Sequence, residues 1–271
     1  MPLSARKAGE RAQGGRTTRE SGEVVLKSAA DLEAMREGGR ILRRALEAVR
    51  ELIRPGIDTL TLDRVAEDVV RSHGGRPSFL GLYGFPRSIC ASVNDVVVHG
   101  IPSPDVVLRE GDIVGIDLGV EYGGLHVDGA ETFIVGEVDK QVRELVLRTR
   151  EALELAIAAC QPGRRVRDIS WAIQRYIEQV HGFSCVRALC GHGVGFAVHE
   201  APQVPNVVGK EPGPELVPGM TLAIEPMVNM GSYEVYTDDD GWAVRTRDGK
   251  PSAHFEHTVA ITEEGPEVLT R

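Results

Sequence analysis

The sequence predicts an α+β fold of two similar halves, each made of two helices followed by antiparallel strands, with one sheet shared between them. Three observations carry that expectation. Two stretches of helical periodicity precede a strand-rich stretch, and this order occurs twice along the 271 residues. The second helix of each pair is bracketed alike, between Pro55-Gly56 and His73-Gly74 and again between Pro162-Gly163 and His181-Gly182. The period is too long for a stack of short repeats and points instead to two halves with a cleft between them.

The elements follow in order. Residues 1–25 are polar and locally basic in a chain of net charge -9, and predict a disordered tail. A weak electrostatic contact with a ribosome surface is the sharper expectation for it. Residues 26–271 read as a single domain. Ser28, with Asp31 three residues later, predicts a helix start. Leu32, Met35, Leu42, Leu46, Val49 and Ile53 then form one stripe, ending before Pro55-Gly56. Leu62, Val65, Val69 and Val70 mark a second helix. From Ser88 the texture is strand: ICASVNDVVVHGIP, then DIVGIDLGV, then a return through Thr132, Phe133, Ile134 and Val135. The second half repeats this, with one helix on Val142, Leu145, Thr149, Leu153 and Ile157 and another on Ile169, Ile173, Ile177 and Val180.

Composition narrows the class. A hydrophobic share of 42% suffices for a sizeable core, and the acidic balance argues against a protein that mainly grips nucleic acid. No apolar run approaches the roughly 18 residues of a membrane span. The N-terminus lacks a hydrophobic signal core. Cys90, Cys160, Cys185 and Cys190 form no CxxC pair and read as reduced thiols. A soluble cytoplasmic protein is expected.

The chemistry gathers around IDLGVEYGGLHVD. A hairpin centred between Tyr122 and Gly123 would set Asp117 directly opposite Asp128. Like charges facing across strands repel, and a buried carboxylate needs a partner. A divalent cation between them removes both problems; an exposed hairpin with incidental acids is the plainer alternative. In the second half GHGVGFAVHE carries His192 and His199 among three glycines, where structural histidines are the common case. GMTLAIEPMV buries Glu225 and HFEHTVAIT buries Glu256 in apolar runs, where a satisfied core carboxylate is the bland reading. Taken together, two Asp, one or two His and two Glu suit Mn, Fe(II), Co or Zn better than a soft, thiolate-bound ion. Four carboxylates exceed the need of one metal. Two ions about 3.5–4 Å apart are a hydrolytic arrangement.

SVNDVVVHGIP, GDIVGIDLGVEYGGLHVD, GHGVGFAVHEAPQVPN, GMTLAIEPMVN and FEHTVAIT, in that order, resemble the type I methionine aminopeptidases of the creatinase or "pita-bread" fold, over about residues 28–268. The resemblance implies a metal-dependent enzyme that removes the N-terminal methionine of nascent proteins before a small second residue, with residues 26–271 as its catalytic domain. It implies Asp117, Asp128, His192, Glu225 and Glu256 as ligands of two divalent ions, Co, Mn, Fe(II) or Zn. A metal-bridging hydroxide would attack, Glu225 would shuttle the proton, and His99 and His199 would position the scissile amide. Cys90, Phe85 and Trp242 match the methionine pocket. Phe79, Leu82 and Val198 stand where close relatives often carry Cys, Tyr and Phe; for Phe79 and Leu82, plain core packing is the alternative. Asn94, Val96 and Ser252 fall where some relatives hold a structural monovalent cation. A monomer is the family expectation. A proline-directed exopeptidase of the same fold is the rival reading, and a non-catalytic binding protein, which would have lost ligands, is a more distant one.

Overall fold

The computed structural model describes residues 23–271. Apart from its last three residues, the tail expected over 1–25 lies outside them. Helix α1 (Ala29–Arg50) starts at the anticipated Ser28–Asp31 capping box, in which each side chain binds the other's backbone N–H. Helix α2 (Thr59–Ser72) is capped by Asp58, whose carboxylate accepts the Thr61 N–H at 2.9 Å. Both bury the predicted stripe, with Met35, Leu42, Leu46, Val49 and Leu62 at the core. Helix α3 (Lys140–Ala159) does the same in the second half. Helix α4 (Val166–Gln174) departs from expectation, because it runs into a π-helical turn over Arg175–Val180. The wider turn rotates the last residues off the 3.6 period. Val180, expected in the buried stripe, is therefore 60% exposed.

The first half supplies strands β1 (Arg76–Pro77), β2 (Cys90–Val93), β3 (Val96–Val98), β4 (Ile113–Tyr122) and β5 (Leu125–Ile134). The second supplies β6 (Ser184–Cys185), β7 (Cys190–Gly193), β8 (Glu200–Pro205), β9 (Thr221–Ile224) and β10 (Met227–Asn229). It continues with β11 (Val235–Thr237), β12 (Val244–Thr246), β13 (Ser252–His254), β14 (Glu256–Thr262) and β15 (Gly265–Val268). The shared sheet exists and has nine strands, in the order β1-β4-β5-β14-β9-β7-β8, with β2 on β4 and β15 on β14. Two three-stranded sheets, β13-β10-β6 and β11-β12-β3, were not anticipated. One apolar core lies between α1, α2 and the first-half strands, a second between α3, α4 and the second-half strands. Close packing of α1 depends on Gly39, where a Cβ would lie 1.8 Å from the Leu269 carbonyl oxygen.

The β4–β5 hairpin turns through Gly123 and Gly124, with φ +63° and +82°, values that a two-residue hairpin turn asks of glycine. Tyr122 pairs with Leu125, so Asp117 faces Ala130 and Asp128 faces Gly119. The direct Asp117–Asp128 opposition expected from the sequence is thus incorrect. The turn centre lies one residue later, which moves each partner by two. An even shift leaves both aspartates on one face, as diagonal neighbours.

Within the shared sheet the two halves meet where β5 pairs β14, through Glu256 opposite Ala130 and His257 opposite Gly129. A threonine hydroxyl closes each end of this short seam. Thr258 Oγ1 accepts the Asp128 N–H and donates to the Asp128 carbonyl, both at 2.8 Å. Thr132 Oγ1 accepts the His254 N–H at 2.9 Å and donates to the His254 carbonyl at 2.7 Å.

Candidate active site

The seam places the acids. Ala130 lies opposite both Asp117 and Glu256, so these two carboxylates share one row across the sheet, with Asp128 beside it. His192 pairs with Ala223 on β9, two residues before Glu225. All five side chains line one cavity of about 290 Å³, together with His99 and His199. Ligand atoms of Asp128, His192 and Glu256 lie within 4.8 Å of one another.

The electrostatics suit a cation. Burial, reinforced by their neighbours' negative charge, holds the Asp117, Glu225 and Glu256 carboxyls well above the usual range. Burial pushes Asp128 up to about 7. Asp117 Oδ1 and Glu256 Oε1 are buried without a hydrogen-bond partner. Burial, with the nearby His199, holds His192 down to about 3, so its ring is neutral. Its Nδ1–H donates to the Gly193 carbonyl at 2.9 Å, which leaves the Nε2 lone pair facing Glu225 Oε1 at 3.5 Å. Orphaned carboxylate oxygens and one imidazole lone pair fit a hard or borderline divalent ion.

His99 has φ +60°, a strained value for a residue with a side chain. Its neighbour Gly100 packs directly on β2, where a Cβ would lie 2.4 Å from the Ala91 carbonyl oxygen. His199 sits in the loop between β7 and β8, edge-on to His192 with ring centroids 4.5 Å apart. Burial lowers the pKa of both His99 and His199, and for His99 the His199 charge adds to this. The His199 loop is held from outside. Glu200 Oε1 accepts the Ala197 N–H at 3.0 Å, and Glu200 Oε2 pairs with the buried Lys27 ammonium. Lys27 reaches over Gly195, where a Cβ would lie 2.2 Å from its Cε.

An apolar cluster adjoins the acids. Phe79, Phe85, Cys90 and Val198 are buried in it, with Leu82 and Trp242 packed against them. Phe85 meets Trp242 edge-on at 5.1 Å. Phe79, Leu82, Phe85, Cys90 and Trp242 line the cavity, whereas Val198 packs behind it. The candidate cation residues also converge in part: the Asn94 carbonyl accepts the Ser252 N–H at 2.9 Å. Val96 lies across from Arg245 on β12.

Two ring-bearing polar residues at the site, Tyr83 and His254, have no role in the sequence reading. Tyr83, 78% exposed at φ +52°, stacks on His199 with ring centroids 6.0 Å apart. His254 is buried with its Nε2 unpartnered, 3.6 Å from Glu225 Oε2. A signal for His254 existed in its position two residues before Glu256, but Phe255 breaks β13 from β14 and with it any simple alternation.

Metallopeptidase family M24 matches residues 33–263, and the chain belongs to that family. Its fold is accordingly the pita-bread fold, and its class is that of metal-dependent peptidases. Methionine aminopeptidase from Clostridium perfringens is 51% identical over 247 residues, covering 91% of this chain and 98% of its own. The crystal structure of methionine aminopeptidase from Thermotoga maritima matches with a TM-score of 0.90 at 44% identity, over 92% of this chain and 100% of that one. Prolidase from Pyrococcus furiosus is more distant, with a TM-score of 0.73 at 25% identity, over 91% of this chain and 65% of its own.

Proposed function

We propose that this protein is a methionine aminopeptidase that removes the N-terminal methionine from nascent proteins and peptides, before a small uncharged second residue. The observation that carries the reading is the junction of an apolar pocket with the buried acids in one cavity. That arrangement fits an unbranched thioether side chain with its amine and scissile carbonyl beside a cation site. Identity of 51% to a methionine aminopeptidase, against 25% to a prolidase, favours this over a proline-directed exopeptidase.

Asp117, Asp128, His192, Glu225 and Glu256 would hold two divalent ions of the Co, Mn, Fe(II) or Zn kind. Bound there, such ions lower the pKa of water toward about 7 and polarise a carbonyl. The chain's own groups do the rest. Glu225, ionised once the site is loaded, takes a proton from the attacking water and passes it to the leaving amine. His199 donates to the scissile carbonyl oxygen as negative charge develops there, and His99 meets the scissile amide. Phe79, Leu82, Phe85, Cys90 and Trp242 take the methionine side chain, with Val198 as backing. Asn94, Val96 and Ser252 would hold a structural monovalent cation. Residues 26–271 act as one catalytic domain, monomeric and cytoplasmic, and residues 1–25 make a salt-dependent contact with the ribosome.

The test is release of methionine, read by mass spectrometry, from metal-stripped protein supplied with Mn, Co, Fe(II) or Zn. Met-Ala-Ser is cleaved only with metal, while Leu-Ala-Ser, Met-Lys-Ser and Ala-Pro-Ser are spared. Cleavage of Ala-Pro-Ser alone would transfer the reading to the proline-directed class. In the same assay His199→Ala loses roughly 10²–10³ in turnover, as for a lost oxyanion donor; a near-normal rate removes His199 from the mechanism.

A further inference from the structure

Glu225 stands between two imidazoles that are not equivalent. Its Oε1 is 3.5 Å from His192 Nε2 and its Oε2 is 3.6 Å from His254 Nε2. His192 spends its ring proton on the Gly193 carbonyl, so a lone pair faces Oε1, and only a cation or a proton can sit between those two atoms. His254 presents the opposite case. Its Nε2 is buried without a hydrogen-bond partner, and it faces Glu225 Oε2 and, at 4.0 Å, Glu256 Oε2. A lone pair there would set like against like, so the tautomer with its proton on Nε2 is the favoured one. The ring is 3% exposed. Its backbone is fixed on both sides by Thr132 Oγ1, which sets the direction from which the ring approaches the acids.

We propose that His254 is a positioning residue, donating its Nε2–H to Glu225 Oε2 so that Oε1 alone is turned toward the cation facing His192. The inference rests on the metal-binding reading above. An N–H to carboxylate hydrogen bond is about 2.8 Å long, so Oε2 has under about 1 Å to travel. His254 thereby divides the work of Glu225, with one oxygen for the cation and the other held by the protein. Ligands oriented from behind in this way bind metal about 10–100-fold more tightly than unsupported ones.

The experiment titrates Mn(II) alone into metal-stripped wild type, His254→Leu and His254→Gln by calorimetry, and records the visible absorption of the Co(II) forms. Leucine keeps apolar bulk and loses the donor; glutamine keeps an N–H donor at similar reach. His254→Leu is expected to weaken Mn(II) binding about 10–100-fold and to change the Co(II) bands, while His254→Gln stays within about threefold of wild type with bands preserved. A merely structural ring would not be rescued by glutamine. Equal affinity in His254→Leu and wild type, or glutamine no better than leucine, overturns the proposal. Should the leucine variant not fold, His254→Ala carries the same expectation against glutamine. Wild type that binds no Mn(II) overturns the metal reading itself, and that failure is visible before any variant is made.

Discussion

Replacing Lys27 by methionine keeps the length and most of the apolar stem of the side chain and removes its charge. The Lys27 and Glu200 side chains are 1% and 9% exposed, so water cannot replace the lost ammonium. Removing one partner of a buried ion pair costs about 3–5 kcal/mol, mostly from the charge left behind. For a chain of this size each kcal/mol moves Tm by about 2–4 °C, which gives a fall of roughly 6–20 °C for Lys27→Met. Thermal and urea unfolding followed by circular dichroism read this directly. Lys27→Met/Glu200→Gln tests the cause, because glutamine still accepts the Ala197 N–H and carries no charge. The double variant is expected to regain most of the loss. A Lys27→Met protein within about 1 kcal/mol of wild type, or a double variant no more stable than the single one, would refute the argument.

Two further outcomes follow from the site. Gly119→Ala places a Cβ 2.7 Å from Ser78 Cβ and 2.9 Å from Phe79 Cε1, so the ring must leave its place in the pocket wall; KM for Met-Ala-Ser should rise about tenfold while kcat changes less, and an unchanged KM would separate Phe79 from the pocket. Metal loading at pH 6.5 should release protons, because Asp128 stays protonated up to about 7 and its three neighbours are shifted the same way. Their raised values favour the metal-free fold below the unfolded-chain pKa of about 4, and that contribution is lost as pH rises through about 7. The stabilisation by metal should therefore be larger at pH 8 than at pH 5.5. Equal heats of Mn(II) binding in two buffers of different ionisation enthalpy would show that no proton leaves.

Much of the fold was legible because local chemistry and tertiary packing agree. Ser28 and Asp31 cap α1 as their spacing requires, and Met35, Leu42 and Leu46 turn inward. The hairpin itself was readable from Gly123-Gly124, but its register was not: a centre placed one residue early lost the exact pairing and kept only the face. Val180 escaped because nothing in ordinary helical periodicity announces a π turn. The acids stood out as charges in apolar runs. His254 did not, because a histidine in a strand is ordinary until Thr132 and the approach of Glu225, both distant in sequence, give it a direction.

The seam between β5 and β14 has a consequence for how the molecule could be divided. Backbone pairing there is two residue pairs long, clasped by Thr132 and Thr258. His99, Asp117 and Asp128 belong to the first half of the chain; His192, His199, Glu225 and Glu256 belong to the second. Neither piece alone possesses a complete set. The candidate site is thus divided between the two halves. A cut between β5 and α3 would separate its acids into two pieces, Asp117 and Asp128 on one and Glu225 and Glu256 on the other.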